Sequence, residues 1–192
     1  MSDKIINISD RLMKTRKGDY SQLYSGNIFW TLDPRPEEVF IEDIAHALSN
    51  LCRFTGHCNT FYSVAEHCIN VSRKCSNPEN ALWGLLHDAS EAYINDLQTP
   101  VKAFLLEYQK IEKGIERVIK KRFNIGNVNE KEIKEIDIRM LITERNDNMK
   151  PPFIPWECEV DPYDIIFDYY TPKEAESEFL KSFDILYGMR ML

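Results

Sequence analysis

Apolar residues recur at three- and four-residue intervals through most of the chain, the period of an amphipathic helix, and the interruptions fall where prolines and small polar residues gather. From Ile41 to Leu51, "IEDIAHALSNL" sets Ile41, Ile44, Ala45, Leu48 and Leu51 on one stripe. A second helix is predicted from about Tyr62 to Lys74. The next starts in "SNPENALWGLLHDASEAY", where a polar cap and Pro78 in the first turn are a start signal, and it runs on through Tyr93. Helical spacing returns over Val101–Phe123, Lys131–Asn146 and Lys173–Tyr187.

Between these stripes the pattern changes. Residues 1 to about 27 have weak periodicity, and "NIFWTL" (Asn27 to Leu32) reads as a short extended piece. In "DPRPEEV" two prolines place a turn at Asp33–Pro36, and Pro36 with Glu37 and Glu38 suits the opening of the following helix. "KPPFIPWECEVDPYD" reads as a proline-rich loop. The expectation is an all-α bundle of about six or more helices. It forms one domain over 1–192: an irregular stretch over 1–40, a helical core over 41–147, then a loop and a final helix over 148–192.

Composition narrows the partners. Hydrophobic residues at 43% and charged residues at 29% are globular values, and no apolar run approaches a membrane span. The first twenty residues mix charge into every apolar group, so no secretory signal is expected and the protein reads as cytoplasmic, with no membrane partner. A net charge of −7 argues against binding a nucleic-acid polymer, and the basic run "ERVIKKRF" (Glu116 to Phe123) reads as the solvated side of a helix. The five cysteines, Cys52, Cys58, Cys68, Cys75 and Cys158, contain no CxxC pair; reduced, mostly buried thiols are expected.

What the apolar pattern does not explain is the ionisable groups set into it. His67 lies three residues after Val64 and four before Val71, His87 lies four after Trp83, and Asp137 lies four from both Ile133 and Leu141. Three helices thus each turn a possible metal ligand inward. A lone inward histidine is more often a hydrogen-bonded core residue, and an aspartate on an apolar stripe can cap a helix or pair with Arg139 or Arg145. The conjunction points elsewhere. Burying a carboxylate without a partner costs several kcal/mol, so Asp88 and Asp137 call for a cation. Imidazole and carboxylate donors suit manganese, cobalt, iron or zinc. Glu91, three residues after Asp88 and four after His87, projects one turn on from them, where a general acid or base would stand. Asp96 follows where "YINDLQTP" leaves the helix, and Asn95 there tolerates the left-handed conformation of a helix end.

These residues resemble a known family. The order His67, His87-Asp88, Asp137 is similar to the H…HD…D signature of HD-domain phosphohydrolases. Through "VAEHC", "HDASEAYINDLQTPVK" and "IEKGIERVI" the chain looks most like the small single-domain branch typified by bacterial 5′-deoxynucleotidases. The likeness spans roughly Arg53 to Asp147. It implies an α-helical fold, one divalent metal ion (manganese, cobalt, zinc, iron or magnesium) on His67, His87, Asp88 and Asp137, acidic catalytic residues at Glu91 and Asp96, and Thr99 in contact with substrate. It also implies an arginine and an aromatic residue for phosphate and sugar, matched by Arg53 and Phe54, although tryptophan is usual at the second position and the spacing is one residue shorter here. Asn95 stands for a glycine and Gln98 for a proline. Homo-oligomers are common among similar proteins.

The resemblance implies a small-molecule nucleotide substrate, with a deoxynucleoside 5′-monophosphate as the leading expectation. The region "GNIFWTLDPRPEEVFIEDIAHALSN" looks like a variant found in phage and prophage HD proteins, some similar to dATP triphosphohydrolases. A dNTP triphosphohydrolase is therefore the nearest alternative, with Lys102 and the Lys120-Lys121-Arg122 run available to a longer phosphate chain if they face the site. A catalytically silent nucleotide or metal sensor is a third. No histidine follows residue 87, which favours one metal over the two of related phosphodiesterases. Of the other histidines, His46 reads as a helix-face residue and His57, beside Arg53, as a substrate contact.

Overall fold

The computed structural model describes residues 15–156 and 160–190, so Cys158 lies outside the described residues. The described residues are all-α apart from one small hairpin. The helices are α1 (Ile41–Asn50), α2 (Val64–Ser72), α3 (Pro78–Leu86), α4 (Glu91–Ile94), α5 (Thr99–Lys102), α6 (Leu106–Arg122), α7 (Glu130–Asn148) and α8 (Pro172–Met189). Strands β1 (Ser21–Gln22) and β2 (Ile28–Phe29) pair antiparallel, Ser21 with Phe29 and Gln22 with Ile28.

Side-chain caps explain several helix starts. Ser63, Asn77 and Asn129 accept the backbone N–H of Glu66, Asn80 and Glu132. Thr171 and Glu174 cap each other reciprocally ahead of Pro172, a full capping box at α8.

Helix α2 is the centre of the bundle. It packs against α1, α3, α7 and α8, and every residue of it except Asn70 is buried. A helix covered on all sides has no solvent face on which to place its polar groups. Its apolar residues Val64, Ala65, Cys68, Ile69 and Val71 join Ile44 and Leu48 of α1, Leu82, Leu85 and Leu86 of α3, Met140 of α7 and Phe179 of α8 in one core. Each fully buried aliphatic side chain there stabilises the fold by roughly 1.5–3 kcal/mol. Gly84 brings α3 close: a Cβ at that position would meet Cys75 Sγ at 2.9 Å and the Ser72 Cα at 3.4 Å. No helix among the described residues is long and apolar enough to cross a membrane.

Four expectations need correction. The predicted helix over Val101–Phe123 is two helices, α5 and α6, separated at Ala103–Leu105; the Gln109 side chain donates to the Lys102 carbonyl at 2.8 Å and so closes α5. The helix from Pro78 ends at Leu86, and His87–Ser90 form a tight turn before α4. There, Ala89, Glu91 and Tyr93 donate to the carbonyls three residues earlier. Pro36–Glu38 make a separate 3-10 turn, because Val39 and Phe40 are extended before α1 begins. Of the four described cysteines, all free, only Cys68 is buried.

The segments outside the helices are tied down by buried charge. Arg16 pairs with Asp33 and Glu38, at 2.6 Å each, and lies over the Trp30 ring. The Asp43 carboxylate in α1 accepts the N–H and hydroxyl of Ser25. Glu66 in α2 accepts the N–H groups of Tyr169 and Tyr170, both at 2.9 Å, and pins the segment that leads into α8.

Candidate metal centre

His67 comes from the middle of α2, His87 and Asp88 from the turn after α3, and Asp137 from α7. The two imidazole rings lie 5.3 Å apart, centre to centre. His67 Nε2 is 3.3 Å from Asp137 Oδ1 and 3.6 Å from Asp88 Oδ2. His87 Nε2 is 3.2 Å from Asp88 Oδ2 and 3.9 Å from Asp137 Oδ1. Donor atoms of His67, His87 and Asp137 all lie within 4.8 Å of one another, and so do those of Cys68, His87 and Asp88. The expected ligands do converge. They form two overlapping triads that share His87, rather than one group of four.

The far nitrogen of each ring is already committed. His67 Nδ1 donates to Glu144 Oε1 at 2.6 Å, and His87 Nδ1 donates to the Gly84 carbonyl at 2.8 Å. Each bond selects the tautomer that leaves the Nε2 lone pair bare. Both Nε2 atoms are buried, and neither has a partner in hydrogen-bonding geometry. Two of the four imidazole–carboxylate distances, 3.2 and 3.3 Å, equal the donor spacing around a divalent cation, about 3.0–3.4 Å for bonds near 2.1 Å, and the other two, 3.6 and 3.9 Å, are somewhat wider. The residues present fit such an ion.

A proton competes with a cation for the same place. Burial works against charging His87, but Asp88 and Asp137 outweigh it and hold its pKa well above the ordinary value. For His67, burial and Arg53 oppose protonation, while Glu144 and Asp137 raise its pKa overall. Asp88 and Asp137 are held below the usual carboxylate range by the imidazoles, against the pull of burial.

Glu91 and Asp96 behave differently. Burial, then the charges of Asp88 and Asp96, push Glu91 well above the carboxylate range, and its Oε2 is buried without a partner. Burial also raises Asp96, with Arg53 opposing and Asp88 reinforcing the rise. Asn95, whose side-chain oxygen accepts the Asp96 N–H, has φ 71° and ψ 162°. The positive φ agrees with expectation. The ψ does not: this is the extended positive-φ region that glycine occupies, not the left-handed helical well.

Arg53 joins the centre. Its Nη2 donates to Glu144 Oε2 at 3.2 Å and its Nη1 stands 3.9 Å from Asp88 Oδ2, while its Nε is buried and unpartnered. It sits at the start of a turn in which Phe54, Thr55 and Gly56 have φ of 54°, 53° and 80°. Positive φ costs roughly 1–2 kcal/mol at each non-glycine residue. Phe54 is half-buried with its ring 5.5 Å below the Arg53 guanidinium.

The remaining candidates lie further out. His57 is exposed, and its backbone N–H closes the turn on the Phe54 carbonyl. Thr99 is exposed at the start of α5. It lines, with Lys102, Gln109, Glu112 and Lys113, a cleft of about 250 Å³. Lys102 forms an ion pair with the buried Glu112. The Lys120-Lys121-Arg122 run does not face this cleft: Lys120 pairs with Glu130 over the Trp83 ring and Arg122 donates to the Val39 carbonyl. Nor does Asp137 pair with Arg139 or Arg145; its Oδ2 takes Lys134 at 2.8 Å. His46 sits on the α1 face as expected, bonded to Glu176 and stacked on Tyr24.

Glu144 was missed by the sequence reading. It is 1% exposed and accepts from His67, Tyr62 and Arg53 at 2.6, 3.0 and 3.2 Å. Its signal was present: it follows Asp137 by seven residues, two turns along the same helical face. Cys68 was also missed as a neighbour of the site; burial pushes its thiol up to about 11.

Fold and site together define a helical protein with a His/Asp/Cys cluster that could hold a metal ion. The chain is 38% identical over 128 residues to the uncharacterized protein YfdR of Escherichia coli strain K12, an overlap of 67% of this chain and 71% of YfdR, and it belongs to the YfdR family. It is also 33% identical over 121 residues to an uncharacterized protein of Rhodobacter capsulatus, covering 58% of this chain and 62% of that one. No family model matches the chain.

Proposed function

We propose that this protein is a metal-dependent nucleotide phosphohydrolase of the HD type, acting on deoxynucleoside 5′-monophosphates to give deoxynucleoside and phosphate. The observation that carries the reading is the pair of bare imidazole nitrogens, His67 Nε2 and His87 Nε2, facing Asp88 and Asp137 with Arg53 and Glu91 alongside. His67, His87, Asp88 and Asp137 would hold one divalent ion. Manganese, cobalt, zinc, iron and magnesium are the candidates, and Cys68 beside His87 tilts the choice away from magnesium. When bound, such an ion supplies Lewis-acid polarisation of a phosphoryl oxygen and lowers the pKa of water.

The chain's own residues do the rest. Arg53, with Nε and Nη1 free of strong partners, takes phosphate oxygens, and Glu144 keeps its plane fixed from behind. Phe54 packs on the sugar. Burial and two neighbouring carboxylates disfavour the Glu91 anion and push its pKa well above the carboxylate range, which favours a proton there. As the water oxygen bonds to phosphorus and the P–O5′ bond breaks, Glu91 gives a proton to the 5′ oxygen and regains one from the phosphate product, which carries the protons of the attacking water. Asp96 supports Glu91 by keeping a second negative charge nearby.

A dNTP triphosphohydrolase reading draws on one observation, the cleft bearing Lys102 and Lys113 next to Thr99. It is the weaker one, since Glu112 already neutralises Lys102 and the Lys120–Arg122 run is engaged elsewhere. The test is to strip the protein of metal, add each deoxynucleoside mono- and triphosphate with one metal at a time, and identify the inorganic product. Orthophosphate from monophosphates supports the proposal. Tripolyphosphate supports the second reading, and nucleotide binding without product points to a sensor.

A further inference from the structure

Two thiols face each other across the base of the turn that carries Arg53. Cys52 Sγ and Cys58 Sγ lie 3.5 Å apart, and both residues are half-buried. The backbone holds them there. Cys52 makes an antiparallel bridge to Ser63, the Arg53 N–H donates to the Tyr62 carbonyl at 2.8 Å, and the Asn59 N–H donates to the Asn148 carbonyl at 2.7 Å. The Cys58 thiol also points toward the Arg53 carbonyl, 4.0 Å away. Between the two sulfurs runs the left-handed stretch Phe54, Thr55 and Gly56. The other described thiols are placed differently: Cys68 is sealed in the core and Cys75 donates to the Val71 carbonyl.

We propose that Cys52 and Cys58 form a reversible disulfide that fastens the Arg53 turn, with a low-molecular-weight disulfide of the glutathione type as the oxidant. A disulfide bond of about 2.0 Å requires the sulfurs to close by about 1.5 Å from their 3.5 Å separation. One cysteine thiolate attacks a sulfur of glutathione disulfide, forming a mixed disulfide and releasing one glutathione. The other thiolate then attacks the protein-side sulfur and releases the second. Two protein thiols lose two electrons in total, glutathione disulfide gains them, and the two protons end on the departing glutathiones. Burial and contact with Cys52 raise the pKa of Cys58, so exchange quickens as pH rises above neutrality. Nothing in this step depends on the phosphohydrolase reading; the crosslink encloses Arg53 whatever that residue binds.

The full chain is equilibrated in glutathione redox buffers, free thiols are trapped by alkylation, and peptides are mapped by mass. The expected product is lighter than the reduced chain by two hydrogens, joins Cys52 to Cys58, leaves Cys68 and Cys75 as thiols, and reverts with dithiothreitol. Backbone amide exchange over Phe54–His57 slows several-fold in that product. In Cys58→Ser, Cys52 carries a glutathione instead of a crosslink. Alkylation of both Cys52 and Cys58 after the most oxidising buffer overturns the proposal, as does a separate glutathione on each, or a crosslink from either to Cys68, Cys75 or Cys158. A Cys52–Cys58 crosslink with unchanged exchange across the turn overturns its fastening role.

Discussion

The imidazole of His67 and the carboxylate of Glu144 are joined by a 2.6 Å hydrogen bond from Nδ1, with His67 wholly buried and Glu144 1% exposed. One carboxylate thereby sets the ring that faces the candidate metal site and also grips the Arg53 guanidinium.

Glu144→Gln keeps the shape and removes the charge, so metal affinity should fall roughly 10–100-fold. Competition against a chelating dye measures it. Glu144→Ala leaves three buried donors without their acceptor and should cost about 3–5 kcal/mol in urea unfolding. An E144Q protein with unchanged metal affinity would remove Glu144 from the centre.

Glu91→Gln should bind metal as the parent does and lose turnover by roughly 10²–10⁴-fold, because the amide cannot give a proton to the leaving oxygen. Metal titration and phosphate release on the same sample separate the two effects. A variant that turns over normally excludes Glu91 from proton transfer.

Metal uptake should strengthen as pH rises. The pKa values of His67 and His87 are both raised by the neighbouring carboxylates, so below those values protons occupy Nε2 and must leave when an ion binds. Calorimetry in buffers of different ionisation enthalpy should detect protons released per ion bound. Uptake without proton release would place the ion elsewhere.

Glu66→Ala should detach the segment before α8. The N–H groups of Tyr169 and Tyr170 both lose their acceptor, at roughly 1–3 kcal/mol for each N–H left unpaired. Hydrogen exchange at those two amides, compared with amides of α1, distinguishes local release from general unfolding.

Much of this was legible in the sequence because α2 is buried all round: Val64 and Val71 bracket His67 at helical spacing, and that alone sends the imidazole inward. The same periodicity failed at Ala103–Leu105. There Phe104 and Leu106 continue the apolar pattern yet face solvent, and the side chain of Gln109, seven residues beyond Lys102, ends the helix. It failed again at His87, where a ring nitrogen takes the Gly84 carbonyl and a tight turn replaces the helix. Glu144 shares a helical face with Asp137, but that spacing alone does not separate it from a solvated glutamate. A glutamate near a helix end reads as solvated until its tertiary partners Tyr62 and Arg53, both far away in the chain, are known.

The most direct measurement is an anomalous difference map from crystals soaked in manganese or zinc. The account predicts one peak per chain within bonding distance of His67 Nε2, His87 Nε2 and an Asp137 carboxylate oxygen, absent from His87→Ala crystals treated alike. No peak there, or an ion bound only to surface carboxylates, would contradict it.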